Sequence, residues 1–184
     1  MCSSDLDGIP RVTKEYYREH FCFPIRNFYE KIGYDFDKIC FKKTSEDFMS
    51  EYQKRFRGGQ LHDGTEKLLA SLAGAGKNQS VLSAAEEKHL HEAVEHFGLT
   101  EHFDHVFGIG DYYGRSKVDR GLELLDAWHA KTETTVLVGD TDHDLEVGEA
   151  LGVDVLLVAD GHQSFERLSK AHHNVVRDRK STRL

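Results

Sequence analysis

The sequence lacks the features that mark several specialised classes of protein. No apolar run approaches the ~20 residues of a membrane span, and no secretory signal pattern opens the chain. Its cysteines, Cys2, Cys22 and Cys40, form no close pair, which is typical of a reducing compartment rather than a disulfide scaffold. The net charge is -8, and Lys and Arg are dispersed among acids. We therefore expect a cytoplasmic protein without a membrane or nucleic-acid partner.

The 184 residues that are present suffice for one core and a small accessory unit. Residues 13–57 are aromatic and charged at helical spacing, with no convincing strand. From Leu61 onward, helices alternate with short apolar runs, which is typical of a parallel sheet with crossover helices. The sequence predicts an α/β fold in which a small all-helical unit precedes a Rossmann-like parallel sheet. Expected strands are 79–83, 105–108, 135–139 and 154–159; expected helices are 65–72, 85–97, 117–129 and 145–151.

The most informative segment is 136–144, which reads VLVGDTDHD. A buried strand that ends at Gly139 places the following acids at the carboxyl edge of the sheet, where open α/β folds bind ligands. Asp140 and Asp144 are therefore candidate ligands of Mg²⁺, which needs few protein carboxylates. An alternative interpretation is that Asp140 or Thr141 only caps the next helix.

Two further polar residues precede these acids in chain order. Ser83 ends an apolar strand, and Lys117 follows the loop residues GRS at a helix start. Serine, lysine and an acidic pair in this order resemble the second, third and fourth motifs of the haloacid dehalogenase-like phosphohydrolases. The resemblance implies that the serine binds a phosphate oxygen, the lysine neutralises charge on phosphate and nucleophile, and the acids hold Mg²⁺.

Each motif also has a structural interpretation. Ser83 could cap the following helix, with Glu86 completing a capping box, and Lys117 could be an exposed helix residue. A phosphorelay receiver also combines aspartate, serine or threonine, and lysine, but it places the acids first. Five histidines between residues 85 and 107 suggest zinc, yet no cysteine pair joins them and solvated histidines are expected: His89, His91, His96, His102 and His105.

The helical unit resembles the cap of the phosphoglycolate phosphatase-like branch, in the stretches GIPRVTKEYYREHFCFPIRNFYEKIGYDF and LHDGTEKLLASLAGAG. The resemblance implies a small phosphorylated metabolite, such as phosphoglycolate, as substrate. Arg26 in the cap could bind its carboxylate or second phosphate, or simply pair with Glu30 one helical turn away. No role follows from the sequence for His143, beside the acids, or for His162, after the last strand.

The family's first motif, which supplies the nucleophilic aspartate, has no convincing counterpart. Asp5 and Asp7 have the right spacing, but only four residues precede Asp5, too few for a buried strand. We expect a fragment that lacks the first central strand and has little activity, or alternatively a relic that still binds phosphate and Mg²⁺. The expected organisation is a non-native scar at 1–6, a partial cap at 7–58, the core at 59–178 and a second scar at 179–184.

Overall fold

The computed structural model of the protein describes residues 11–109 and 116–178. The first part is helical, as predicted, and contains α1 (Lys14–His20), α2 (Ile25–Lys31), α3 (Phe41–Arg55) and, after the short turn Phe56–Gly58, α4 (Thr65–Gly74). Strands and helices then alternate: β1 (Ser80–Glu86), α5 (Glu87–His96), β2 (His105–Ile109), α6 (Lys117–Ala127), β3 (Val136–Gly139), α7 (Asp142–Leu151), β4 (Asp154–Val158), α8 (Phe165–Ala171) and β5 (Val175–Val176). The predicted α/β class is confirmed.

All strand pairs within the described residues are parallel, but they form two separate sheets. One sheet contains β1 and β2, and the other has the order β3-β4-β5. Leu82 of β1 and Leu137 of β3 nevertheless pack against the same apolar cluster, formed by Val147, Leu151 and Val153. Within residues 11–109 and 116–178, no ladder joins β1 to β3.

The core lies between the strands of the two sheets and the helices that pack on them. A second cluster, under β4 and α8, contains Leu157 and Leu168, neither of which is exposed to solvent. Helix α7 approaches β4 closely because it carries Gly148, where an added Cβ would lie 2.2 Å from Val155 Cγ2. Burial of this apolar surface is the main favourable contribution to folding.

An aromatic cluster forms the core of the helical unit. Phe21, Phe28 and Tyr34 are almost fully buried, and the ring centroids of Phe21 and Phe28 lie 5.5 Å apart. Such ring pairs contribute beyond the area that they bury. None of the helices in the described residues combines the length and apolar character needed to cross a bilayer.

Two helix starts differ from the prediction. Helix α5 begins at Glu87 rather than at 85, because β1 continues to Glu86, whose carboxylate accepts the backbone N–H groups of Lys88 and His89 at 3.2 and 3.0 Å. The interpretation of Ser83 as the cap of this helix is therefore wrong. Helix α7 begins at Asp142, three residues before the predicted start, because Thr141 caps it.

Candidate active site

Lys117 is the first residue of α6, and the preceding residue fixes where that helix begins. Ser116 Oγ accepts the N–H of Asp119 at 3.1 Å, while the Asp119 carboxylate accepts the N–H of Ser116 at 3.1 Å. This reciprocal capping box satisfies two backbone donors at the start of the helix. It therefore determines the position from which the lysine side chain extends.

Arg120, one turn later, joins α6 to the β1-β2 sheet. Its guanidinium is buried, donates to the carbonyl of Gly108 at 2.7 Å, and forms ion pairs with Glu87 and Glu123. It also lies over the Phe107 ring, 4.5 Å from the centroid. These contacts hold the helix that carries Lys117 against the end of β2.

The acidic segment contains a second capping box. Thr141 Oγ1 accepts the N–H of Asp144 at 3.2 Å, and Asp144 Oδ2 accepts the N–H groups of Asp140 and Thr141, both at 3.0 Å. The capping interpretation of Thr141 is thus confirmed. It does not exclude a ligand role for Asp144, because Oδ1 points away from these bonds toward a different partner.

That partner is Lys117, whose Nζ lies 2.6 Å from Asp144 Oδ1. The two side chains are 14% and 7% exposed, so solvent screens this pair weakly. Burial of Asp144 opposes its ionisation, but the charge and hydrogen bond of Lys117 and the bonds from Thr141 and Asp140 outweigh it. The pKa of Asp144 is consequently lower than usual, and the acid is charged at neutral pH.

Asp140 is held by the backbone after β4. Its Oδ2 accepts the N–H of His162 at 2.7 Å, next to Gly161, where an added Cβ would lie only 1.7 Å from the same oxygen. Gly139 allows a similar approach, since a Cβ there would lie 2.3 Å from Asp144 Cβ. In the described part of the chain, Oδ1 of Asp140 has no hydrogen-bond partner.

These residues suit Mg²⁺ by the chemistry of their donors. Asp140 offers one carboxylate oxygen, and Asp144 offers an oxygen that already binds a cationic ammonium group. Among residues 11–109 and 116–178, no three acids, histidines or cysteines form a preformed metal cage. Mg²⁺ typically uses one or two protein carboxylates together with water and phosphate, so two aspartates are a sufficient set.

The structure brings some of the predicted residues together and leaves others apart. Lys117, Asp140 and Asp144 form one hydrogen-bonded group. Ser83 lies in β1, across the break in the sheet, where its Oγ accepts the N–H of Ala85 at 3.1 Å. Arg26 is in the cap and makes the alternative contact, with its Nε 2.9 Å from Glu30 Oε1.

The side chains of the other acids and histidines that the sequence analysis singled out do not join this group in the described residues. Asp5 and Asp7 lie outside the described residues. His143 Nδ1 is 3.1 Å from Glu146 Oε2, one turn later in α7. The histidines that suggested zinc make other contacts: His89 Nε2 lies 2.7 Å from Gln53 Nε2, and His96 Nε2 lies 2.9 Å from the carbonyl of Arg57.

Sequence reasoning did not identify a second group of polar residues beside the acids. Gln163 Oε1 accepts the N–H of Asp142 at 2.8 Å, and Arg167 Nη2 donates to Asp142 Oδ2 at 2.6 Å. Burial of Asp142 opposes its ionisation, but these two residues more than compensate, and its pKa is lower than usual. The sequence carries no signal for Gln163, because nothing about an isolated glutamine indicates that it is completely buried.

Comparisons with known proteins identify related sequences. The sequence model of the family described as haloacid dehalogenase-like hydrolase matches residues 4–158. The tyrosine-protein kinase PtkA of Mycobacterium tuberculosis is 30% identical over 131 residues, which are 70% of this chain and 45% of that protein. A 5'-nucleotidase of Pseudomonas aeruginosa is 28% identical over 162 residues, covering 84% of this chain and 70% of that protein.

The fold is also shared with solved structures. A haloacid dehalogenase-like family hydrolase from Streptococcus pneumoniae superposes with a TM-score of 0.80 at 16% identity, covering 94% of this chain and 80% of that one. The chain thus spans less than half the length of the kinase relative, but most of the solved hydrolase.

Proposed function

We propose that this chain, which belongs to the haloacid dehalogenase-like hydrolase family, carries the phosphate-binding and Mg²⁺-binding part of a phosphomonoester hydrolase. At the family level it is a hydrolase of the phosphatase type. The observation that carries the proposal is the hydrogen-bonded group of Lys117, Asp140 and Asp144, of which Asp144 is buried, at the carboxyl end of β3. Open α/β sheets bind their ligands at this edge.

Each residue has a task that follows from its charge and place. Asp140 and Asp144 would hold Mg²⁺, which when bound supplies positive charge to the phosphoryl oxygens. Lys117 supplies a second positive charge, fixed by its bond to Asp144. The Ser83 hydroxyl, within β1, would donate to a phosphate oxygen. Together they reduce the repulsion that an anionic nucleophile meets as it approaches a phosphate.

The reaction needs a carboxylate nucleophile as well. In the proposed mechanism its oxygen forms a bond to phosphorus while the bond to the ester oxygen breaks, and water then hydrolyses the resulting aspartyl phosphate. Asp140 and Asp144 are already assigned to Mg²⁺ in this proposal. Asp5 and Asp7 are the acids of this chain with the motif spacing. Otherwise the carboxylate comes from a segment not contained in this chain.

The proposed substrate is a small phosphorylated metabolite such as phosphoglycolate. Support comes from the position of the helical cap, which contacts the acidic segment through Phe23. The centroid of the Phe23 ring lies 5.0 Å from that of His143, which is next to Asp144 in the sequence. A cap this close favours a compact ligand. Arg26 stays a predicted substrate contact, although in the structure it is paired with Glu30.

Binding and turnover should be measured on the same samples. We expect the chain to bind Mg²⁺ and inorganic phosphate in calorimetry, and any hydrolysis of p-nitrophenyl phosphate or phosphoglycolate to require Mg²⁺. Asp140→Asn should reduce Mg²⁺-dependent hydrolysis by roughly 100-fold. The matched control is Asp154→Asn. Asp154 is an exposed acid at the amino end of β4, whereas the candidate site lies at the carboxyl ends of the strands. Equal losses in both variants, or hydrolysis indifferent to Mg²⁺, would contradict the proposal.

The nucleophile is tested separately. If Asp5 is the nucleophile, Asp5→Asn abolishes turnover and leaves phosphate binding intact. Binding of phosphate and Mg²⁺ without turnover in the wild-type chain would instead identify a phosphate-binding unit whose nucleophile lies elsewhere.

Phosphoryl transfer to a protein hydroxyl is a second candidate, favoured by the 30% identity to a protein named as a tyrosine kinase. Tyr17 brings a phenol near the acids: its OH lies 2.6 Å from Nδ1 of His162, whose backbone N–H binds Asp140. Incubation with a nucleoside triphosphate labelled at the γ-phosphate, followed by analysis for phosphotyrosine, tests this activity. Absence of labelled tyrosine under conditions that support phosphate binding would refute it.

A further inference from the structure

We propose that Gln163 and Arg167 are positioning residues that couple the helical cap to the acids of the candidate metal site. This inference rests on the proposed function, since it assigns a consequence to Mg²⁺ binding at Asp140 and Asp144. We call residues 162–167 the bridge segment. It follows β4 and includes the first turn of α8.

Gln163 is completely buried and uses its whole amide group. Oε1 accepts the N–H of Asp142 at 2.8 Å, and Nε2 donates to Asp142 Oδ1 at 2.8 Å and to the carbonyl of Phe21 at 3.2 Å. One side chain thus holds both the backbone and the carboxylate of the residue midway between Asp140 and Asp144. The same nitrogen binds the backbone at the end of α1.

Arg167 repeats this connection from α8. Nη2 donates to Asp142 Oδ2 at 2.6 Å, and Nη1 donates to the carbonyls of Phe21 and Glu19 at 2.5 and 3.0 Å. Its planar guanidinium can reach these acceptors simultaneously, which a lysine ammonium on a flexible stem would not reproduce. Asp142 and Phe21 are consequently joined through two independent side chains.

The cap side of the connection is itself well packed. Phe21 is 5% exposed, and its ring lies 4.6 Å from the His162 ring at an interplanar angle of 17°. His162 also contacts Tyr17 through Nδ1 and Asp140 through its backbone N–H. The bridge segment therefore touches the acids with one side and α1 with the other.

Two consequences follow from these contacts. First, movement of α1 away from the core must break the bonds of Phe21 to Gln163 and Arg167 and so loosen Asp142. Second, because coupling of binding free energies is reciprocal, Mg²⁺ binding that orders residues 140–144 must also hold α1 more firmly. Removal of groups that orient metal ligands without touching the metal commonly weakens metal binding by roughly 10–100-fold.

The coupling between cap and acids can be tested without metal. Hydrogen exchange should be compared among wild type, Arg167→Met and the matched control Lys170→Met, which removes an exposed positive charge from the same helix. We expect Arg167→Met to speed exchange in residues 13–21 and in residues 140–144, and Lys170→Met to speed neither. Faster exchange in only one of the two segments would overturn the inference.

The coupling to Mg²⁺ uses the same three proteins. Calorimetric titration should give a Kd for Mg²⁺ that is roughly tenfold higher in Arg167→Met than in wild type or Lys170→Met, and Mg²⁺ should slow exchange of residues 13–21 in wild type. Arg167→Lys should recover only part of the affinity. Should Arg167→Met unfold, Gln163→Met provides the second variant, because it removes the amide bonds and keeps a side chain of similar length.

The outcomes separate this inference from the function on which it rests. If wild type binds no Mg²⁺, the proposed function fails, and the exchange comparison alone decides whether the bridge segment couples cap and acids. If wild type binds Mg²⁺ and the Kd of Arg167→Met for Mg²⁺ is within twofold of the wild-type Kd, the proposed function stands and the coupling is refuted.

Discussion

Replacement of Gly161 by alanine is the smallest change that should disturb the candidate metal site. A Cβ at this position would lie 1.7 Å from Asp140 Oδ2, 2.6 Å from Cγ and 2.9 Å from Cβ of the same residue. All three distances are shorter than a non-bonded contact, so the Asp140 carboxylate must move by more than about 1 Å. The backbone of Gly161 does not have the positive φ that would itself disfavour alanine.

The size of the effect follows from the bond that this movement breaks. The N–H of His162 donates to Asp140 Oδ2 at 2.7 Å, and a displacement of more than about 1 Å takes the two atoms beyond hydrogen-bonding distance. A hydrogen bond to a charged group contributes about 1.5–3 kcal/mol. Gly161→Ala should therefore lower the free energy of unfolding by about 2 kcal/mol and weaken Mg²⁺ binding by roughly 10-fold or more.

Urea unfolding and calorimetric Mg²⁺ titration measure the two effects. The matched control is Gly74→Ala, at the end of α4, where an added Cβ meets nothing within 4 Å. We expect that control to be neutral or slightly stabilising, because alanine restricts the unfolded chain. If Gly161→Ala retains both the stability and the Mg²⁺ affinity of wild type, Asp140 is not held where the structure places it.

Three further predictions concern the surrounding framework. Lys117→Met should flatten the loss of stability that acid causes below about pH 4. Burial opposes the ionisation of Asp144, but Lys117 is the largest of the influences that hold the pKa of this acid below its usual value. Stability that comes from a lowered carboxyl pKa is present above the unfolded-state pKa and is lost as the pH falls through the folded-state pKa. Urea unfolding at several pH values checks this, and a slope equal to that of wild type would contradict it. Arg120→Met should lower the free energy of unfolding by about 2 kcal/mol, because it leaves a buried carbonyl without its donor; thermal unfolding measures this, and an unchanged Tm would exclude it. Gly148→Ala should lower the free energy of unfolding by about 1–3 kcal/mol through overpacking, because the added methyl group would overlap with the Val155 side chain. Addition of Val155→Ala to the same protein should recover part of that free energy. A double-mutant cycle without coupling would rule out the contact.

Much of the fold could be predicted because its signals are local. The strand before Gly139 was predicted one residue early, at 135, and the helix from Lys117 two residues too long. Both depend on patterns read over a few neighbouring residues, namely apolar runs and capping side chains. The acids and Lys117 were predictable as a group for the same reason, since each is at an element end that the sequence marks clearly.

What could not be predicted depends on contacts between distant parts of the chain. The bonds of Gln163 to Phe21 and of Arg167 to Glu19 join residues that are more than 140 positions apart. Helix α8 and β5 were not predicted at all, because each is short and carries little periodic signal. The burial of Gln163 is a property of this packing, and no single-sequence pattern reports it.

The three acids of the segment GDTDHD illustrate how similar residues acquire different tasks. Asp144 binds Lys117 and closes the capping box of α7, while Asp142 gives both its oxygens to Gln163 and Arg167. Asp140 differs from both: only one of its oxygens is bonded within the described residues. Both oxygens of Asp142 bind side chains that also hold Phe21 at the end of α1, so we assign Asp142 to the contact with the cap rather than to Mg²⁺. Asp142→Asn should accordingly disturb the contact with α1 more than it disturbs Mg²⁺ binding, whereas Asp140→Asn should do the reverse. Exchange in residues 13–21 and the Kd for Mg²⁺, measured on both variants, distinguish these assignments, and equal effects of the two substitutions on both quantities would refute the division.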